Sequence, residues 1–298
     1  MQHSLDIHAG ATEIQTPADF RWPGGKRIAV FPRVSFEWWS DGKWPGIGPM
    51  GNPLRQGFPD LNAMSWAEYG HRRGIFRILD VLERNQVRAT FNVSGILAEH
   101  YPQVIRRMAD AGHDVVAHSY TMDVIPVYLD EAEERANIER TTALLEKAMG
   151  RRPRGWISPR STPGLRTPRM LLEAGYDWHG DTLNDDLPYV MRYGDRSIVA
   201  FPNNTEVNDL PHYMRYGNSP RDMVALFEDW LDCARNHETG AARIDPAIHA
   251  HVSGRPLAMA AYEKIIRLAK NAPDVWMGTR SEAVDHLRAV VGAPGPKA

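Results

Sequence analysis

Stretches that read as short apolar strands alternate with stretches of helical periodicity through most of this chain, and no other feature constrains the fold as tightly. Two neighbouring parallel strands need a crossover of helix length between them, so the alternation specifies an α/β fold with a parallel sheet. Arg27–Glu37 reads as the first strand. Ser65-Trp66-Ala67-Glu68 reads as a capping box, opening a helix that buries Ile75, Ile78, Leu79 and Leu82. Strand Arg88–Val93, a helix near Ile96–Gly112 and strand Asp114–Ser119 follow. The acidic run Asp130–Glu134 suits a helix N-terminus, and that helix extends to Met149. Thr167-Pro168 begins another helix and Gly175 ends it. Ser219-Pro220 opens a long one to Asn236; strand Ala247–His251, a helix near Met259–Lys270, strand Val275–Gly278 and a helix from Ser281 complete the order. No repeat, low-complexity tract or linker divides the chain. The expectation is therefore one domain over 1–298, with residues 1–21 as an N-terminal extension. Its architecture is a barrel of seven or eight β/α units, with an open doubly wound sheet as the alternative.

Composition narrows the function. With 43% apolar and 24% charged residues, a net charge of −2 and no basic run, nothing points to nucleic acid or an anionic membrane as partner. The single cysteine, Cys233, excludes an internal disulfide and fits a reducing compartment. Met1 to Thr16 has neither a basic nor an apolar leader-like region, and no apolar run reaches the length of a membrane span. A cytoplasmic enzyme acting on a small molecule is expected, which argues against a cell-wall substrate.

The chemistry-bearing residues gather at strand ends. On the first strand a period of two puts Arg33, Ser35 and Glu37 on one face and Val34, Phe36 and Trp38 on the other. Polar groups at the C-terminal end of a barrel strand point into the mouth where barrel enzymes work; the plain alternative is an exposed Glu37 at a strand end. His118-Ser119-Tyr120-Thr121-Met122-Asp123 ends the third strand, and His113 before it reads as a surface residue. Gly155-Trp156-Ile157-Ser158-Pro159-Arg160 offers an arginine that either pairs with Asp181 over a substrate oxygen or makes a structural ion pair. Asp177-Trp178-His179-Gly180-Asp181 precedes Asn184-Asp185-Asp186-Leu187-Pro188-Tyr189, which is also a good turn sequence. Glu206-Val207-Asn208-Asp209 either lines a pocket or forms a loop. His249 and His251 face the same way on one strand, ahead of Ser253-Gly254-Arg255-Pro256. Gly46-Ile47-Gly48-Pro49-Met50-Gly51 matches a dinucleotide fingerprint as a string only, since Pro45, Pro49 and Pro53 forbid the helix it needs. The loop around it carries Trp38, Trp39 and Trp44 and has the character of a lid. Asn92-Val93-Ser94 and Asn203-Asn204-Thr205 are glycosylation strings without meaning in a cytoplasmic protein.

These segments, in this order from Trp22 to Gly292 and including Glu68-Tyr69-Gly70 and Ala89-Thr90-Phe91, resemble the NodB-homology polysaccharide deacetylases. Within that family they most resemble the allantoinase-like branch that opens small cyclic amides. The resemblance implies a distorted (β/α)7-8 barrel and a metal-dependent amide hydrolase. In the family the first strand supplies a carboxylate base and a carboxylate metal ligand; here those positions hold Ser35 and Glu37, and a serine hydroxyl is no base near neutral pH without help. The paired metal-binding histidines are matched by His118, with Met122 in place of the second. A thioether is a poor ligand for a zinc-like ion, so Glu37 and His118 give two ligands where a catalytic zinc takes three. Counting back from Gly254 puts His249 on the catalytic position. The resemblance thus implies His249, Glu37, Arg160, Asp181 and Ser35 as catalytic positions, Glu37 and His118 as ligands of a divalent metal, and Trp39, Asp185, Asp186, Glu206 and His251 as substrate contacts. If no metal binds, Glu37 is the candidate for activating water, with its pKa raised by burial beside Trp38 and Trp39. The function implied is hydrolysis of a non-peptide carbon–nitrogen bond in an allantoin- or imide-like ring. A metal-dependent deacetylase of an acetylated sugar and a non-catalytic ligand-binding member are the alternatives. A homo-oligomer, a tetramer by resemblance, is expected.

Overall fold

Two prolines shape the barrel. Pro32 and Pro246 have no N–H to give to a strand ladder, and each interrupts what would otherwise be one long central strand. A computed structural model describes residues 5–50, 54–55 and 57–296; Met1–Ser4, Gly51 and Pro53 lie outside the described residues. Its strands are β1 (Thr12–Ile14), β2 (Ile28–Val30), β3 (Arg33–Phe36), β4 (Thr90–Val93), β5 (Asp114–Ala117), β6 (Gly155–Trp156), β7 (Trp178–His179), β8 (Tyr189–Tyr193), β9 (Arg196–Ala200), β10 (Ala242–Ile244), β11 (Ala247–His249) and β12 (Val275–Met277). The expected first strand is thus β2 and β3, broken at Phe31-Pro32, and the expected strand from Ala247 has a predecessor, β10, across Asp245-Pro246. The two breaks lie side by side: Phe31 N donates to Ile244 O (2.9 Å) and Arg33 N to Pro246 O (3.0 Å). Below them β2 pairs in parallel with β10 and β12; above them β3 pairs in parallel with β4 and β11.

The larger sheet runs β1-β8-β9-β7-β6-β5-β4-β3-β11, parallel from β9 to β11 and antiparallel at β8 and β1. The chain after β9 returns to β11 through the parallel bridge Asn208↔Ala247. A distorted ring results, held at the mouth by that bridge and open lower down between residues 201–206 and β10. The α/β class and parallel sheet are as expected. The β8–β9 hairpin is not: Gly194 (φ 64°) makes its turn, a signal lost between two stronger motifs.

Two cores result from the alternation of faces. Val34, Phe36, Phe91 and Val93 point outward against helices 75–85, 95–110, 131–149 and 256–271. Ala29, Phe31, Val116, Trp178, Val199 and Phe201 point inward and, with Phe20, Trp22 and Leu287, plug the lower barrel. Local expectations fail where a better cap or breaker exists. The helix expected at Ser65 begins at Leu61, capped by Asp60 accepting from Ala63 N (2.9 Å), while Ser65 Oγ donates to Asn62 O. The helix expected over Ile96–Gly112 is two, Gly95–His100 and Pro102–Asp110, because Pro102 starts a new one. His113 is buried, its Nδ1 accepting from Ala89 N (3.2 Å).

Candidate active site

Glu37 follows directly on β3 and is buried at the barrel mouth. Its Oε1 lies 3.3 Å from His118 Nε2, beyond the end of β5, and 3.5 Å from His249 Nε2, at the end of β11. Residues from three strands therefore meet on one carboxylate. Burial acts to raise its pKa, but His249 and His118 outweigh it and bring Glu37 down to about 2. The sequence expectation of a raised Glu37 is corrected here. Burial is present as expected, but two imidazoles delivered by other strands outweigh it. His118 Nδ1 meets the Ile157 carbonyl, which can only accept, so this nitrogen carries hydrogen and Nε2 is the one presented to Glu37. Ser119, immediately after His118, is left-handed (φ 54°), as are Arg160 (φ 60°) and Ser161 (φ 50°) beyond β6. Strained backbone is thus concentrated at the mouth.

His249 is fixed by Asp209. One carboxylate oxygen accepts from His249 N (2.8 Å) and the other from His249 Nδ1 (2.6 Å), in a fully buried position. Burial acts to lower the His249 pKa, but Glu37 and Asp209 together hold it above the ordinary value. The His249 ring therefore sits between two carboxylates, which favour its protonated form, with Nε2 toward the site. His251 is different. It lies edge-on to Trp39 (5.6 Å) and Trp66 (4.7 Å), and burial brings it down to about 4, so it is neutral under ordinary conditions. The segment carrying both histidines packs on a π-helical turn, Gly70–Gly74. A Cβ on Gly70 would meet His251 N at 3.2 Å, and one on Gly74 or Gly254 would run into Ala250 O. These glycines allow the backbone-on-backbone contact that seats the histidines.

Asp181 does not pair with Arg160. Its carboxylate accepts from Ser158 N (2.6 Å) and Ser158 Oγ (2.7 Å), and burial pushes it up to about 6 against those bonds. Arg160 is exposed on a left-handed turn and has no ion pair among the described residues, because Pro159 and the turn direct it away from Asp181. Ser35 Oγ accepts from Asn92 Nδ2 (3.3 Å), its in-register neighbour on β4. Of the expected substrate contacts, Trp39 and His251 lie together at the mouth. Asp185, Asp186 and Glu206 are exposed and line a separate groove of about 870 Å³ along the open seam, with Trp230, Cys233, Glu238 and Arg243. Asp185 also shapes its turn, accepting from Leu187 N (3.0 Å). Both glycosylation-string asparagines, Asn92 and Asn203, are buried.

Sequence reasoning missed the roles of Asp209, Ser158 and Asn92. Asp209 lay in a stretch already singled out, but its partner is forty residues away and follows from the Asn208↔Ala247 bridge.

A divalent ion does not fit these donors. Among the described residues no group of three His, Cys, Asp or Glu side chains is arranged to hold one. Met122 N donates to Trp38 O and its side chain brings only a thioether, while Asp123 Oδ1 is occupied by Ser40 N (2.8 Å). The Glu37 oxygen a metal would use is already shared by two imidazoles.

A ring of parallel strands with carboxylate and imidazole groups converging on its C-terminal mouth is an arrangement suited to hydrolysis. A family model for polysaccharide deacetylases matches residues 67–179. Peptidoglycan deacetylase of Helicobacter pylori is 26% identical over 248 residues, covering 72% of this chain and 84% of that protein. Among solved structures, a probable polysaccharide deacetylase from Pseudomonas aeruginosa PAO1 superposes with a TM-score of 0.80 at 28% identity, over 90% of this chain and 93% of the other. PuuE allantoinase superposes with a TM-score of 0.82 at 26% identity, over 97% and 98%. The chain is thus similar to polysaccharide deacetylases, through residues 67–179 by the family model and over most of its length by these relatives. No helix among the described residues is long and apolar enough to cross a membrane.

Proposed function

We propose that the protein hydrolyses a carbon–nitrogen bond in a small cyclic amide without a bound metal. The observation that carries this reading is the Glu37 carboxylate held between His118 and His249, with His249 backed by Asp209. Amide cleavage needs a proton removed from water and another delivered to the leaving nitrogen. Glu37, ionised at all ordinary pH, orients the water and takes its proton. His249 gives its Nε2 proton to the ring nitrogen as the carbon–nitrogen bond breaks. Transfer of the proton from Glu37 to His249 across their 3.5 Å contact then restores both groups. The low Glu37 pKa makes that return favourable, at the expense of driving force in the first transfer. His118 fixes Glu37, and neutral His251 with Trp39 and Trp66 offers flat apolar walls for a planar ring. The whole-chain likeness to PuuE allantoinase supports a cyclic amide.

The test is turnover of allantoin, hydantoins, cyclic imides and acetylated sugars by chelator-treated protein, beside elemental analysis. Cyclic-amide opening with far less than one metal per chain is expected. Sugar deacetylation with stoichiometric metal would overturn the reading, and absence of all turnover would favour a binding protein.

A further inference from the structure

Below the Glu37 layer the barrel interior holds three buried guanidiniums and one carboxylate. Arg243 Nη1 and Arg280 Nε both bond to Asp245, which is fully buried, and Arg280 Nη2 also donates to Asn203 Oδ1 (2.8 Å). Arg243 and Arg280 lie 4.9 Å and 4.7 Å from the centre of the Phe201 ring, above the apolar plug. Arg33 is different. It is 94% buried, yet among the described residues its guanidinium has no hydrogen-bond or ion-pair partner, and its Nε is fully enclosed. Every nearby interior anion is committed: Asp245 to the two other arginines, Asp209 to His249, and Glu37 to the two imidazoles. An unpaired buried charge costs several kcal/mol by about the same reckoning as a broken internal ion pair. The sequence could remove that cost with any apolar residue of similar volume.

The position of Arg33 points to what would use it. It shares the inward face of β3 with Ser35 and Glu37, about 7 Å below Ser35 along the strand. Its in-register neighbours are Thr90 and Ala247, and Ala247 brings only a methyl group to that position. Thr90 Oγ1 is engaged with Asp114 and with Arg280 N, so it does not satisfy Arg33.

We infer that Arg33 anchors an anion-binding position in the floor of the barrel mouth, taking one compact anionic group by its two-pronged donor face. That group is either the carboxylate of the ligand on which Glu37 and His249 act, or a free inorganic anion. In the first case the substrate class narrows to acid-bearing rings; this specification of the ligand rests on the hydrolase reading, whereas anion binding itself does not.

The test uses the full chain dialysed into an anion-poor buffer and titrated calorimetrically with succinate, its neutral diamide, inorganic phosphate and chloride. Thermal stability is followed in parallel, since a ligand of the native state raises it. Succinate binding at least about tenfold tighter than the diamide, abolished in Arg33→Met and weakened in Arg33→Lys, is the expected result for a ligand carboxylate. Arg33-dependent binding of phosphate or chloride alone, without preference for succinate over the diamide, assigns the position to a free anion. Arg33→Met is expected to fold and to lose only the anion-dependent stabilisation; if it fails to fold, the weakening in Arg33→Lys carries the test. No anion binding to the wild type, or binding unchanged in both variants, overturns the inference. Cyclic-amide turnover measured on the same wild-type sample separates the two readings. Turnover without anion binding removes this inference alone, and anion binding without turnover removes the hydrolase alone.

Discussion

Replacing Asp209 by asparagine tests the central pair most directly. Asp209 is fully buried and accepts two hydrogen bonds from one residue, the backbone N–H and the Nδ1–H of His249, at 2.8 Å and 2.6 Å. An amide keeps the shape and one acceptor, so the variant retains the backbone bond and loses the charge-assisted one. That loss is worth about 1.5–3 kcal/mol of preference for the imidazolium. The His249 pKa, raised in the wild type by Glu37 and Asp209, therefore falls. In a serine-protease triad the same exchange traps the wrong imidazole tautomer and lowers kcat by about ten-thousand-fold. Here Glu37 still faces Nε2, so a loss of about a hundred- to ten-thousand-fold is expected. The linkage has a definite sign. A histidine whose folded pKa lies above its unfolded value stabilises fully below 6.5, and that stabilisation disappears as pH rises through the folded value. In Asp209→Asn this window narrows, and the alkaline limb of kcat moves to lower pH. The assays are an NMR titration of the His249 ring, kcat against pH, and denaturant unfolding on both sides of the window. A folded variant with unchanged kcat and an unchanged His249 titration would refute the argument.

Four further outcomes follow from the geometry. Met122→His is expected to gain no stoichiometric zinc by elemental analysis, because Ser35 offers no carboxylate and Glu37 is already shared by His118 and His249; tight binding would show a site still built for metal. Glu37→Gln is expected to cost about 3 kcal/mol in neutral denaturant unfolding, as a shift from 4.5 to about 2 implies. The wild type should lose that stabilisation as pH falls from 4.5 toward about 2, and the variant should not. Gly254→Ala is expected to lower stability by about 3 kcal/mol or more and to displace both histidines, since its Cβ meets Ala250 O and Gly74; a Tm within a degree or so of wild type would contradict the packing argument. Arg160→Ala is expected to change stability by less than about 0.5 kcal/mol, given its exposure and lack of an ion pair, so any loss of turnover at unchanged Tm would report contact with substrate.

What could be read from the sequence was whatever depends on a repeat within one element. The period of two put Arg33, Ser35 and Glu37 on one inward face, and the structure keeps them there with Ser35 in register with His249. Counting back from Gly254 chose His249 over His251, and the structure separates those two electrostatically: Asp209 holds one up while burial between tryptophans brings the other down. What could not be read was pairing between elements. Burial of Glu37 was foreseeable, but the sign of its pKa shift depends on imidazoles after β5 and on β11 that only the curvature of the sheet brings to it. Asp209 is silent for the same reason, since it reaches His249 through the single bridge that closes the barrel mouth. Arg160 and Asp181 failed as a pair because sequence proximity of motifs says nothing about the left-handed turn that directs the arginine outward. Arg33 is the reverse case. Its place on the strand was plain from the alternation, but that no anion remains to pair with it emerges only once every carboxylate in the interior has been assigned a partner. An unpaired buried charge is costly to any fold, so its place beneath the Glu37 carboxylate is better explained by a ligand group than by stability.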